Sequence, residues 1–450
     1  MRSVLGVLVL SLLVVAVGCQ SELDGTSPTP GPGVMEESWP GGTVGGWEDG
    51  DGVEESYTRR PGDGGGSGDG ATDEAGFADD DAAPGPPPGE PGADPNNGGG
   101  LEGGEIDDNE LFDAFLEFTD SVLEEFPEEP MIHWMDVSRR HFITVTDNQG
   151  RPVQDALVAV MSDGEVVAAG RSHGDGRYAF FPRAVGSDEP IYTVEVFAGQ
   201  DFAQAALEEG QDTLEVSLEG AQPALASCQV DVAFMIDATG SMGGEIARIK
   251  DTITEIAGRI SESEHSPDLR LGLVDYRDRG DDYVTHAVNF TRDVPAFQRA
   301  IDGLEANGGG DMPEALNEAL HDGMRRLDWR SESTLRLAFV VADAPAHHYD
   351  DAQYTYDQAM LDASVMGITL YPIASGGSDQ VAEMQFRQLA QYTQGNFIFI
   401  TRGNGSSEGS EGSEYDVNPE DFDVQSLDDL VVRLINDGMA DWCQNVQRPQ

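Results

Sequence analysis

Asp237, Thr239 and Ser241 stand at alternate positions directly after the apolar run Val230–Ile236: one carboxylate, then two hydroxyls. That is a hard-oxygen donor set suited to Mg²⁺ or Mn²⁺. In an open α/β sheet, ligands bind outside the carboxyl ends of the strands, where such a triplet would lie. Asp and Ser also start helices as caps, so the triplet alone supports both readings. Two later loops are equally rich in oxygen. One is Gly308-Gly309-Gly310-Asp311-Met312-Pro313-Glu314. The other is Val341-Ala342-Asp343-Ala344-Pro345, again an apolar run ending in Asp. A doubly wound sheet would bring the first and third loops to one edge, as a single divalent cation requires. Asp311 has a second reading, because Asp311, Pro313 and Glu314 together form a capping-box pattern with proline in the first turn. Capping and ligation are compatible, since a carboxylate has two oxygens.

The elements that must position these loops follow from periodicity. Strands are expected at 230–236, 269–274, 283–290, 335–342, 368–374 and 396–400, and helices at 244–260, 295–304, 313–327, 353–366, 380–392 and 427–439. This alternation predicts an α/β fold: a doubly wound, mainly parallel sheet with helices on both faces. Before it, residues 135–220 hold about seven short alternating runs broken by turn signals such as Asp163-Gly164, which suggests a small all-β sandwich. Residues 109–126 carry Leu111, Phe112, Phe115, Leu116, Val122, Leu123 and Phe126 at helical spacing. This predicts an amphipathic helix stopped by Pro127 and packed on the domain that follows. Residues 19–108 are Gly, Pro, Ser and acid, too poor in apolar surface to offset chain entropy, and read as a disordered acidic linker.

The segment 228–443 resembles the von Willebrand factor type A domain, a Rossmann-like fold. Asp237-Ala238-Thr239-Gly240-Ser241 matches that family's Asp-x-Ser-x-Ser adhesion motif, with Thr239 keeping the hydroxyl of the first serine. The second and third loops look like the hemicentin-type and alpha-kinase-associated branch. The resemblance implies Mg²⁺ or Mn²⁺ bound directly by Thr239 and Ser241, with Asp237 and Asp343 holding it through waters. A vacant position would accept a carboxylate from a protein partner. Many members place a threonine where this chain has Asp311. If Asp311 ligates, three carboxylates face two positive charges, which strengthens metal binding, admits Ca²⁺, and opposes an incoming carboxylate by roughly 2 to 4 kcal/mol at an effective dielectric near 20.

The sandwich segment resembles the carboxypeptidase regulatory-like domain through Val145–Val153, Ala156-Leu157-Val158 and Gly174–Phe180. That resemblance implies a fold and a spacer or adhesive role, with no catalytic residues. At the start, Arg2 and the apolar run Val4–Val17 form an export signal over residues 1–18. Ala16-Val17-Gly18-Cys19 resembles a bacterial lipobox, which implies lipidation of Cys19; a plain secretory peptide is the alternative. With Gln20 after the cysteine, the implied address is the outer membrane of a bacterial envelope, on its periplasmic or surface face. Removal of Cys19 leaves Cys228 and Cys443 as an even pair in an oxidising compartment, read as a disulfide with two unpaired buried thiols as the alternative.

Net charge sets the exclusions. At −59, with Lys250 the only lysine, the chain offers no basic surface to nucleic acid or anionic lipid. No nucleophile with a paired base and no phosphate-cradling Gly-Lys-Ser/Thr loop stands in the sequence, so an enzyme is not expected. Arg279-Gly280-Asp281 reads as a chance tripeptide, His347-His348 as a rim pair, and Asp275 and Asp278 as solvated. The reading is an envelope lipoprotein that binds a protein partner through a metal site. Its alternative is a structural lipoprotein whose metal only stabilises the fold.

Overall fold

A computed structural model describes residues 101–220, 225–310, 312–401, 415–417 and 421–446. The expected export signal, Cys19, most of the expected linker and Asp311 lie outside the described residues.

The centre of the molecule is β9 (Gln229–Asp237), whose residues from Val230 onward are all buried. A strand apolar on both faces belongs in the middle of a parallel sheet. It is flanked by β10 (Asp268–Tyr276) and β12 (Thr334–Ala342), both parallel to it, with Val230 opposite Leu269 on one side and Leu335 on the other. The sheet continues through β13 (Ile368–Ala374) and β14 (Phe397–Thr401), and β11 (Thr285–Thr291) closes the far edge antiparallel to β10. Alternate residues of β9 serve opposite cores. Val232, Phe234 and Ile236 face α2 (Ile246–Ser261), α3 (Val294–Asp302) and α7 (Leu427–Trp442). Ala233 and Met235 face α4 (Leu316–Arg325), α5 (Tyr356–Met366) and α6 (Gln380–Tyr392). The α/β fold with a large, mostly parallel sheet is therefore the one expected.

Two strands were not anticipated. β1 (Glu102–Ile106) pairs antiparallel with β14, Gly104 opposite Phe399, and β15 (Gln425–Ser426) pairs with β1. The linker expected to run to residue 108 therefore stops earlier. Its composition misleads because β1 needs glycine for space: a Cβ on Gly104 would lie 2.6 Å from the Phe399 ring and 2.8 Å from that of Phe422. The helix expected over 109–126 is α1 (Phe112–Glu125), ending just before Pro127. It packs its Phe115, Phe118 and Val122 face towards α6.

The seven strands between form two small sheets. One orders β5 (Arg177–Phe180), β2 (His141–Thr146) and β8 (Thr213–Ser217); the other orders β4 (Glu165–Arg171), β3 (Leu157–Ser162), β6 (Ile191–Ala198) and β7 (Asp201–Glu208). Their inner faces enclose Ile143, Val158, Phe180, Tyr192 and Val194. The sandwich is fastened to the large sheet. Asp155 accepts from Arg336 Nη1 at 3.1 Å and from Ser333 N at 2.7 Å, and Gln154 Nε2 donates to Trp442 O at 2.8 Å. Cys228 and Cys443 are joined in a disulfide with Cα atoms 5.3 Å apart, tying the start of β9 to the end of α7. No helix among the described residues is long and apolar enough to cross a membrane.

Candidate metal centre

Asp237 is the last residue of β9, and Asp343 follows the last residue of the neighbouring β12, where Val341 stands opposite Ile236. Parallel pairing thus delivers both carboxylates to the same edge. Asp237 Oδ1 accepts from Thr239 N at 2.8 Å and from Thr239 Oγ1 at 2.7 Å, and the Thr239 hydroxyl in turn meets Ser241 Oγ at 3.1 Å. The triplet is therefore folded onto itself, with its oxygens clustered. The other oxygen, Asp237 Oδ2, is buried and closes no hydrogen bond; the hydroxyl of Tyr276, opposite on β10, lies close by without reaching it in good geometry. Burial, reinforced by the charge of Asp343, pushes the Asp237 carboxyl up to about 7, against the pull of its bonds from Thr239.

The second loop lies against the first. Gly240 N donates to Gly308 O at 3.1 Å, and Asn307 N donates to Ala238 O at 3.0 Å. Gly308 and Gly309 adopt left-handed backbone, with φ of 81° and 69°. Gly309 N donates to Asp281 Oδ2 at 2.8 Å. The helix expected from Pro313 begins instead at Leu316, capped by Ala315 with no side-chain bond. The reason is long-range pairing. Glu314 N donates to Pro345 O at 3.0 Å and His347 N donates to Glu314 O at 2.7 Å, so this stretch is bridged to the loop carrying Asp343 before the helix can start.

That bridge brings in a residue the sequence reading had treated only as a cap partner. Glu314 is 3% exposed, and its Oε2 has no hydrogen-bond partner. Its Oε1 lies 2.6 Å from where a Cβ on Gly309 would stand, and Thr239 Cβ lies 3.3 Å from the same point. Glu314 and Thr239 therefore meet across a glycine. Burial first, then the charges of Asp237, Asp278, Asp343 and Asp281, push the Glu314 carboxyl up to about 9. Tyr276, the other neighbour missed, is raised for the same reasons, burial first and then Asp237. Neither residue carries a local sequence signal, since both reach the site through sheet register or loop bridging.

The lesser candidates are placed as follows. Asp275 and Asp278, expected to be solvated, are buried: Asp275 accepts from Tyr283 Oη at 2.5 Å and contacts His286 Nδ1 at 3.0 Å, and Asp278 accepts from the Tyr349 hydroxyl. The β10–β11 connection folds back over them, which a strand-end reading does not reveal. Arg279 pairs with Glu318 at 2.7 Å and with Asp351 at 2.5 Å, and Asp281 serves Gly309, so the Arg-Gly-Asp stretch is built into the loop framework. His347 stacks on Tyr349 with ring centres 4.0 Å apart, and His348 faces His133 at 5.6 Å.

Among the described residues no three His, Cys, Asp or Glu side chains gather as a ready metal cage. The set that does gather is mixed, with the hydroxyls of Thr239 and Ser241 beside Asp237 and Asp343. A buried carboxylate with one oxygen held by a paired hydroxyl and the other orphaned fits a hard divalent cation, which would supply the missing partner and reverse the upward push on Asp237.

Residues 231–402 match the family model of the von Willebrand factor A domain. The chain is similar to the alpha-protein kinase vwkA of Dictyostelium discoideum, 32% identical over 125 residues, which are 27% of this chain and 19% of that protein. It is also similar to an ariadne-like RING finger protein of Acanthamoeba polyphaga mimivirus, 32% identical over 124 residues, 28% of this chain and 12% of that one. The matched stretch thus spans less than a fifth of either relative. The family likeness is thus to the von Willebrand factor A domain, a module that generally mediates binding between proteins, and it covers residues 231–402.

Proposed function

We propose that this domain binds a protein partner through a divalent cation at the Asp237 edge. Thr239 and Ser241 would hold Mg²⁺ or Mn²⁺ directly, with Asp237 and Asp343 as the outer carboxylates and Ca²⁺ as a tolerated substitute. Bound there, the cation supplies a Lewis-acidic position that takes an oxygen from the partner. The observation that carries this reading is the orphaned Oδ2 of fully buried Asp237 beside the paired hydroxyls. Asp311 lies outside the described residues, so its part as ligand or cap is left to metal titration of Asp311→Ala, where unchanged affinity means a cap.

The same proposal places the chain in a bacterial envelope, anchored through lipid on Cys19, and assigns it binding without catalysis. Support for the anchor is the leader with its Ala16-Val17-Gly18-Cys19 ending. The carboxypeptidase regulatory-like motifs of the sandwich support a presenting role for that module. The test is a pull-down from envelope extracts with and without chelator. A partner lost in chelator and regained with Mg²⁺ is expected. Partners that persist in chelator would leave a structural lipoprotein whose metal only stiffens the fold.

A further inference from the structure

Away from the oxygen-rich edge, two imidazoles face each other. The rings of His133 and His348 have their centres 5.6 Å apart and their planes inclined at 36°. His133 Nε2 and His348 Nδ1 are both buried, and neither closes a hydrogen bond. Buried ring nitrogens are ordinarily paired, so two orphans on facing rings point to a shared partner. His133 lies in the connection from α1 to β2, and His348 in the loop that carries Asp343 away from β12. One side chain of α6 fixes both backbones. Fully buried Gln385 donates from Nε2 to Met131 O at 2.8 Å and accepts at Oε1 from Ala346 N at 2.7 Å, in each case two residues before a histidine. His133 N in turn donates to the buried Tyr356 hydroxyl at 2.8 Å, and His347 N to Glu314 O at 2.7 Å. The two rings are therefore held facing each other by the frame around them. Across its ring from the orphaned Nε2, His133 Nδ1 has Asp357 Oδ1 at 3.8 Å. A carboxylate on the far side of an imidazole is the usual support of a metal-ligating histidine, because it orients the ring and raises its basicity.

We propose that His133 and His348 form a second cation site, which takes a transition metal, Zn²⁺ or Cu²⁺, between His133 Nε2 and His348 Nδ1. Metal–nitrogen bonds near 2.1 Å put the ion roughly 3.2 Å from each ring centre, and two such legs span the observed 5.6 Å at an angle of about 120°, close to tetrahedral. Imidazole suits Zn²⁺ and Cu²⁺, whereas carboxylate and hydroxyl suit Mg²⁺ and Ca²⁺, so the two centres of this molecule take different ions. Among the described residues no third His, Cys, Asp or Glu joins the pair. Structural zinc takes four protein ligands, so this site is an exchangeable one with its other positions on water. The His133 side chain is 27% exposed, which gives the ion a way in from solvent. A cation here ties the segment that leads into the sandwich to the loop bearing Asp343. The inference stands whether or not Mg²⁺ binds at Asp237.

The test titrates Zn²⁺ calorimetrically into the full chain with Mg²⁺ in excess, so that the many carboxylates are already occupied. One saturable Zn²⁺ site per chain is expected. His133→Gln and His348→Gln should each weaken it about tenfold or more. His286→Gln, on β11 with its side chain 64% exposed, should leave it unchanged. Absence of a saturable Zn²⁺ site, or a site that keeps its affinity in either of the first two variants, would overturn the assignment. Electron paramagnetic resonance of the Cu²⁺-loaded wild type decides the matter even where a variant folds poorly. Coupling to two imidazole nitrogens is the expected spectrum, and coupling to one or none would overturn it.

Discussion

β9 carries two buried aspartates, one near each end, and they are treated in opposite ways. Asp231 and Asp237 are both 0% exposed. Asp231 is met by Arg270 at 2.9 and 2.6 Å, by Arg330 Nη1 at 2.9 Å, and by Arg330 N at 2.9 Å. Asp237 receives the amide and hydroxyl of Thr239 and has the Tyr276 hydroxyl beside it, and its nearest charged influence is another acid, Asp343. The first end is neutralised from within and stapled by the disulfide at Cys228; the second has no fixed cation bonded to it among the described residues. A buried charge without a partner is costly, so a fold that retains one has a use for a cation from solution. One end of the strand holds the domain together, and the other is the end proposed to take a ligand.

Substitutions at the two ends should therefore differ in sign. The largest loss is expected at the stapled end: replacing Cys228 and Cys443 by serine opens a loop of 215 residues, for which chain entropy gives roughly 5 kcal/mol as an upper figure, read by denaturant unfolding. Asp231→Ala strands two arginines only 14% and 12% exposed, and should cost about 3 kcal/mol whether or not Mg²⁺ is present. Asp237→Asn should act in the opposite direction. In chelator at pH 8 it removes a carboxylate whose folded pKa is far above its unfolded value, and gains on the order of 2 kcal/mol, while stabilisation by Mg²⁺ disappears. A loss in chelator as large as that of Asp231→Ala would erase the contrast.

The least specific effect is the pH dependence, and its sign follows from the raised pKa values. Asp237 goes from 3.8 to about 7 on folding and Glu314 from 4.5 to about 9. Their contribution to stability is full below the unfolded values and is lost as pH rises through the folded ones. Metal-free protein should thus melt at a higher temperature at pH 5 than at pH 8, and Mg²⁺ should flatten that slope. Glu383, pushed up to about 7 by burial, adds to the slope but is held by Arg387, so its share should not respond to Mg²⁺.

The sequence made the sheet legible because its strands are long, apolar and separated by helices of clear period. Leu269, Leu335 and Ile368 all fall in strands as expected. It concealed β1, whose glycines look like linker but make room for Phe399 and Phe422. The triplet Asp237, Thr239 and Ser241 could be read directly, since its members are neighbours in the chain. Glu314 could not, because its place depends on a bridge to Ala346, and a Pro-Glu pair ahead of an apolar run looks like a helix start. Asp275 and Asp278 were misjudged for a related reason: Tyr283 of the β10–β11 connection and Tyr349 of the loop beyond β12 cover them.

The open end of β9 is proposed to take a divalent cation. Calorimetric titration of Mg²⁺ into the full chain at pH 7.5, compared with Asp237→Asn, tests it most directly. One saturable site in the wild type, absent from the variant, is the predicted result. No saturable binding, or the same isotherm in both proteins, would contradict it.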